Sequence, residues 1–220
     1  MAQLNIQRLN MQRREQAGFS LLELMTVLFV AGILMTVGIP AFSGFMANNR
    51  MSTTANDLAI TLHMARTEAL KRRASISICP SDEWSEESPD CTAGSGFEDG
   101  WIVFVDAVAP ANPDMAHTGA QDILFTHGPL PDGIDLDYSD AQNPLAAAPR
   151  LIFGPNGFPL QQLGGVNTVF NFQLCDHRGD ANTGGGVAAG RWIQLTPTGR
   201  PQIYREQAQV QAGANPAGGC

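Results

Sequence analysis

The sequence predicts an α+β fold in which one long N-terminal helix, apolar in its first half and amphipathic in its second, packs on an antiparallel β domain. Three observations carry this expectation. Residues Phe19 to Ile39 are almost wholly apolar. From Met51 to Ala69 apolar residues recur at spacings of three and four. Beyond Ala74, short β-prone runs alternate with Gly- and Pro-containing breaks.

Residues 1–18 read as a leader. Arg8, Arg13 and Arg14 stand against the single acid Glu15, and positive charge stays on the cytoplasmic side, which places the N-terminus inside and the bulk of the chain outside. Residues 19–47 form the apolar helix. As a helix, Phe19 to Ile39 spans ~31 Å at ~1.5 Å per residue, against a bilayer core of ~30 Å. Glu23 lies inside that run. A carboxylate there costs ~2.5–3.5 kcal/mol on insertion scales and demands a partner. Pro40 removes one helical donor and frees the Thr36 carbonyl.

Gly18-Phe19-Ser20-Leu21-Leu22-Glu23, with the apolar run and Pro40 after it, resembles the signature of the type IV pilin superfamily. The resemblance implies that a membrane-embedded prepilin peptidase cuts between Gly18 and Phe19 and N-methylates Phe19. The new ammonium at Phe19 lies one turn from Glu23. In an assembly, the ammonium of one subunit can neutralise Glu23 of its neighbour, because a buried unpaired charge is costly. Glu23 and Pro40 are therefore the expected assembly residues. A secretory signal peptide would place its small-residue cleavage site after the apolar core, not before it.

Residues 48–73 continue the helix. Met51, Ala55, Leu58, Leu62, Ala65 and Ala69 form one apolar stripe, with Asp57, Arg66, Glu68 and Arg72 off it. Lys71, Arg72 and Arg73 close the helix, where cations complement the carbonyl end of the dipole.

Residues 74–220 form the exported β domain. Expected strands are Ser75–Ile78, Trp101–Val105, Ile123–Phe125, Ile134–Tyr138, Leu151–Phe153 and Thr168–Cys175, then a hairpin of Arg191–Thr196 and Gln202–Arg205. Polar or Gly-rich loops are expected at 82–100, 107–119 and 179–190, a turn at 154–157, and a loose tail from Gln207 unless Cys220 ties it down. Cys79, Cys91, Cys175 and Cys220 all lie in this part, in keeping with an oxidising compartment. Four cysteines allow three connectivities. Pairing sequence neighbours gives Cys79–Cys91 and Cys175–Cys220.

Net charge is −8, which argues against bulk nucleic-acid binding. Between Ala74 and Pro149 there is no Lys or Arg, and from Arg150 onward five Arg face three acids. No cofactor motif is present. The four histidines, at 63, 117, 127 and 177, lack metal-ligand spacing. Asp132, Asp135, Asp137 and Asp140 fit no EF-hand loop and read as the solvent face of a strand. Asp176-His177 adjoins Cys175, but adjacent strand residues point to opposite faces, so no catalytic pair is expected.

The soluble part resembles the FimT/GspH branch of minor pilins and pseudopilins. The resemblance rests on Leu58–Arg73, Ile78-Cys79-Pro80-Ser81, Gly100–Asp106 and Leu195–Arg200. It implies a pilin-like fold and a non-catalytic subunit of a type IV pilus or of a type II secretion pseudopilus. Implied partners are the prepilin peptidase, other pilins and an inner-membrane assembly platform. The implied location is the bacterial inner membrane, single-pass, with the C-terminal domain periplasmic. Some relatives in this branch bind DNA through a Gly-Arg-x-Arg motif. Here it stops at Gly199-Arg200, because Pro201 and Gln202 follow. Arg191, Arg200 and Arg205 are the candidate contacts for that alternative, with Trp192 or Tyr204 as a stacking surface. With few phosphates to neutralise, it is the less favoured reading.

Overall fold

The computed structural model describes residues 18–92, 94–108, 117, 121–140, 150–160 and 169–220. The leader, apart from Gly18, and most of the loop expected at 107–119 lie outside them, as does Thr168. The chain divides between Ser43 and Gly44 into two units.

Helix α1 spans Leu21–Arg72 and runs through Pro40. In the first unit its large apolar side chains are exposed, from Leu21 to Phe42, as is Phe19 just before it. In the second unit the stripe behaves as its spacing demands: Met51, Ala55, Leu58, Leu62, Ala65 and Ala69 are all buried. The helix ends at Arg72, and Arg73 turns the chain with a positive φ of 52°. Glu68 receives both Lys71 at 3.2 Å and Arg72 at 2.7 Å, so these cations are tied to the helix surface.

Among the described residues nine strands follow: β1 (Ala74–Pro80), β2 (Trp101–Val108), β3 (Ile123–His127), β4 (Ile134–Asp140), β5 (Leu151–Phe153), β6 (Pro159–Leu160), β7 (Phe170–Asp176), β8 (Val187–Leu195) and β9 (Pro201–Glu206). They make two antiparallel sheets, ordered β3-β2-β1-β5-β6 and β4-β7-β8-β9. Alternation sets their faces. Ile76, Ile78, Trp101 and Val103 of the first sheet meet Leu136, Phe172, Leu174 and Ile193 of the second in one core with the α1 stripe.

Each sheet has a second apolar face, and each is covered by a segment that a disulfide pins. On the first sheet, Cys79, Ile102 and Phe104 pack with Trp84 and Cys91. The Cys79–Cys91 bond holds that loop in place. This is why β2 reads as a continuous apolar run: it is buried on both sides. On the second sheet, Ala188, Trp192 and Val210 cluster with Tyr204. Here the cover is helix α2 (Gln207–Val210) and the tail beyond it, closed by Cys175–Cys220.

The tail meets the condition set for its order: the Cys175–Cys220 bond ties Cys220 down, and Asn215 is buried and donates to Gln173 and to the Val210 carbonyl. Two sequence expectations change. The Gly-rich loop ends early, because β8 already begins at Val187. Within the loop expected at 82–100, Phe97 sits on a 3₁₀ turn (Phe97–Asp99) and is a core residue, 1% exposed, edge-on to Trp101 and Phe172.

Candidate functional site: an apolar helix with one carboxylate, and arginines split between a pocket and a turn

Glu23 lies in the first turn of α1, where a carboxylate complements the positive end of the helix dipole. Its side chain makes no hydrogen bond or ion pair among the described residues. Around it stand exposed Phe19, Leu21, Leu22, Leu24 and Val27. Phe19 is 81% exposed, and Gly18 has open space around its α-carbon. Near Pro40 the helix supplies local acceptors to its hydroxyls: Thr36 Oγ1 donates to the Ile33 carbonyl at 2.8 Å and Ser43 Oγ to the Pro40 carbonyl at 2.9 Å. An added Cβ at Gly32, Gly38 or Gly44 would meet nothing within 4 Å. No contact within the described chain requires glycine there, although each costs the helix ~1 kcal/mol relative to alanine. By length and composition α1 can cross a bilayer.

The fold separates Arg200 from the other two arginines grouped by sequence, while Arg191 and Arg205 line one pocket. Arg191 is buried, 5% exposed, which corrects the expectation that it faces a ligand in solvent. Between Val187 and Trp192, strand β8 slips its register against β9. The Arg191 guanidinium turns back into that irregularity: Nη1 donates to the carbonyls of Ala188 at 2.6 Å, Ala189 at 3.2 Å and Gly190 at 2.8 Å. Nη2 reaches Ser52 Oγ on α1 at 3.4 Å. Burial and the charges of Arg178 and Arg205 push its pKa below the ordinary arginine value. Arg200 and Arg205, both exposed, lie just before β9 and near its end, ~16 Å apart along an extended strand. Arg200 follows a tight turn in which Gly199 has φ 74°. A Cβ there would meet the Gly157 carbonyl oxygen at 2.6 Å, and that oxygen already accepts Arg66 Nε at 3.1 Å. Trp192 is 7% exposed and stacks on Tyr204 at 4.2 Å, so its ring is already partnered.

Sequence reasoning missed Arg178. It forms a bidentate pair with Asp176, Nη2 to Oδ2 at 2.6 Å and Nε to Oδ1 at 3.1 Å, and its Nη1 donates to Asn48 Oδ1 on α1 at 2.8 Å. Burial opposes ionisation of Asp176, but the hydrogen bonds and charge of Arg178 outweigh it and hold the carboxyl below its ordinary value. His177, between them, is exposed and forms no dyad. Asp135 and Asp137 are exposed on β4, between buried Ile134 and Leu136. Among the described residues no three His, Cys, Asp or Glu gather to hold a metal.

These features define a class: a protein with an apolar N-terminal helix carrying a single acid, whose amphipathic continuation is built into a disulfide-bonded β domain. Comparison with known proteins agrees. The family model described as type II transport protein GspH matches residues 54–199, and the prokaryotic N-terminal methylation motif matches residues 13–39. The chain belongs to the GspH family, within the type IV pilin superfamily of minor pilins and pseudopilins. No curated protein matches it. Two crystal structures of the type IV minor pilin FimU from Pseudomonas aeruginosa PAO1 are similar, each at 21% identity. The TM-scores are 0.45, over 73% of this chain and 92% of that one, and 0.42, over 70% and 91%.

Proposed function

We propose that this chain is a minor pilin or pseudopilin, a non-catalytic structural subunit of a type IV pilus or a type II secretion pseudopilus. Prepilin peptidase cleaves between Gly18 and Phe19 and methylates Phe19. The chain then waits in the inner membrane as a single-pass protein, its N-terminus cytoplasmic and its β domain periplasmic. An inner-membrane assembly platform moves it into a filament with other pilins. The observation that carries this reading is the exposed apolar helix from Phe19 to Phe42 with one unpartnered carboxylate, Glu23. Helix–helix contacts with other subunits cover such a surface, and a neighbour's Phe19 ammonium neutralises the acid. The glycines at 32, 38 and 44, not needed by any contact in the described chain, suit close helix approach.

The test is filament entry. Sheared or cross-linked filaments from cells carrying Glu23→Ala should contain little of the chain, while its membrane level stays near wild type. Undiminished entry removes Glu23 from assembly. Nucleic-acid binding draws less support, since Arg191 is inside the domain and Arg200 and Arg205 lie at opposite ends of β9. A low-salt gel shift abolished by Arg200→Ala would revive it.

A further inference from the structure

A pocket of about 340 Å³ opens between α1 and the β8–β9 pair, lined by Ser52 and Asn56 from the helix and by Val187, Arg191, Ile203 and Arg205 from the strands. Its charge is unbalanced. Arg191 and Arg205 line it together, and the charge of Arg205 acts unfavourably on Arg191. Arg178 is a third guanidinium close enough to act on Arg191. Of the carboxylates nearby, Asp176 is held by Arg178. Glu206 neighbours Arg205 on β9 but points to the other face by alternation. Neither Arg191 nor Arg205 has an ion-pair partner among the described residues. Arg191 is taken up by three carbonyls and Ser52, so what the pocket offers an oxyanion is the exposed guanidinium of Arg205 and the Asn56 amide, with the charge of Arg191 behind them uncompensated by a carboxylate.

The opposite edge of the same sheet has the complementary chemistry. Strand β4 is that edge. Asp135 and Asp137 stand exposed on one face of it, ~7 Å apart by strand spacing. They lie in the span from Ala74 to Pro149 that lacks any Lys or Arg. One sheet therefore carries carboxylates on one edge and a cationic pocket near the other. Two different patches that fit each other make a head-to-tail contact, which need not close and so suits a filament.

We propose that the Arg191–Arg205 pocket binds the Asp135 or Asp137 carboxylate on the β4 edge of a second copy of this chain. The proposal rests on the filament-subunit reading for the presence of that neighbouring copy. Nucleic acid is disfavoured as the occupant, because a chain of net charge −8 repels an extended polyanion around a single small pocket.

The test uses the full chain in detergent and a fluorescent peptide with the sequence Gly133–Tyr138, a neutral counterpart of that peptide carrying Asp135→Asn and Asp137→Asn, inorganic phosphate and a short DNA duplex. The acidic peptide should bind saturably, and the neutral peptide at least tenfold more weakly. Arg205→Glu should lose at least tenfold and Arg205→Lys should stay within threefold. Arg205 is exposed, so these variants leave folding intact, as a circular-dichroism melt will register. The proposal is overturned by no saturable binding up to ~1 mM, by equal binding of the neutral peptide, by indifference to Arg205→Glu, or by phosphate or duplex displacing the peptide at equal ionic strength. Peptide binding needs neither cleavage nor assembly, so its failure leaves the anchor reading standing, and a failure of filament entry leaves the pocket untouched.

Discussion

The buried indole N–H of Trp101 donates to the hydroxyl of Thr61 on α1 across 3.4 Å, and that hydroxyl in turn donates to the Asp57 carbonyl at 2.9 Å. Trp101 is fully buried and Thr61 nearly so. The pair fixes the helix against β2 at one defined point. Thr61→Val keeps the shape and removes the acceptor, leaving a buried donor unsatisfied, at a cost of about 1–3 kcal/mol. A lowered guanidinium midpoint, followed by tryptophan fluorescence, should report it.

The Asp176–Arg178–Asn48 bridge predicts an acid-sensitive contribution. Asp176 is depressed below its ordinary value of 3.8 in the fold. A carboxyl lowered in the folded state adds stability above its unfolded pKa and loses it as pH falls through the folded one. The wild-type stability curve should therefore drop below about pH 4, and Asp176→Asn should flatten that limb. At neutral pH the same substitution should cost about 3 kcal/mol, because it leaves Arg178, 17% exposed at the side chain, without its charge partner. A pH series of denaturant melts separates the two effects.

The two disulfides should differ in weight. Cys175–Cys220 closes a separation of 45 residues and Cys79–Cys91 one of 12. Chain entropy assigns them about 4 and about 3 kcal/mol. Removing the first pair as serines should also expose the Gln173–Asn215 contact and the Val210 cover, so proteolysis of the tail beyond β9 should accelerate. Removing the second should loosen the Trp84 loop and leave the tail protected.

Arg73 turns the chain at the helix end with φ 52°, a conformation that costs a side-chain-bearing residue ~1–2 kcal/mol and glycine little. Arg73→Gly should raise stability by about 0.5–1 kcal/mol, after glycine's greater unfolded-state entropy is subtracted. A higher thermal midpoint with unchanged membrane level is the expected result.

Much of this architecture was legible in the residues. The α1 stripe could be read because its period matches a helix and its six members all face the core. The Asp135/Asp137 alternation placed β4's solvent face correctly for the same kind of reason. What escaped were effects that need the third dimension. Thr61 lies off the apolar stripe, and only the arrival of Trp101 makes it a buried acceptor. Arg191 reads as a solvent cation until the β8 irregularity turns free carbonyls toward it. Arg200 and Arg205 look neighbourly in sequence, but an extended strand carries them apart. The tail has a loop-like composition, and its order was legible only as a condition on Cys220; the Asn215 contacts that share in it are long-range. The helix carboxylate is the opposite case: Glu23 is conspicuous in sequence because nothing around it in the chain answers its charge.

The most direct test of the account is the N-terminus of the chain recovered from assembled filaments, read by mass spectrometry. The account predicts a first residue of Phe19, N-methylated, with nothing before it. Recovery of functional filaments in which the chain still carries Met1 through Gly18 would contradict it.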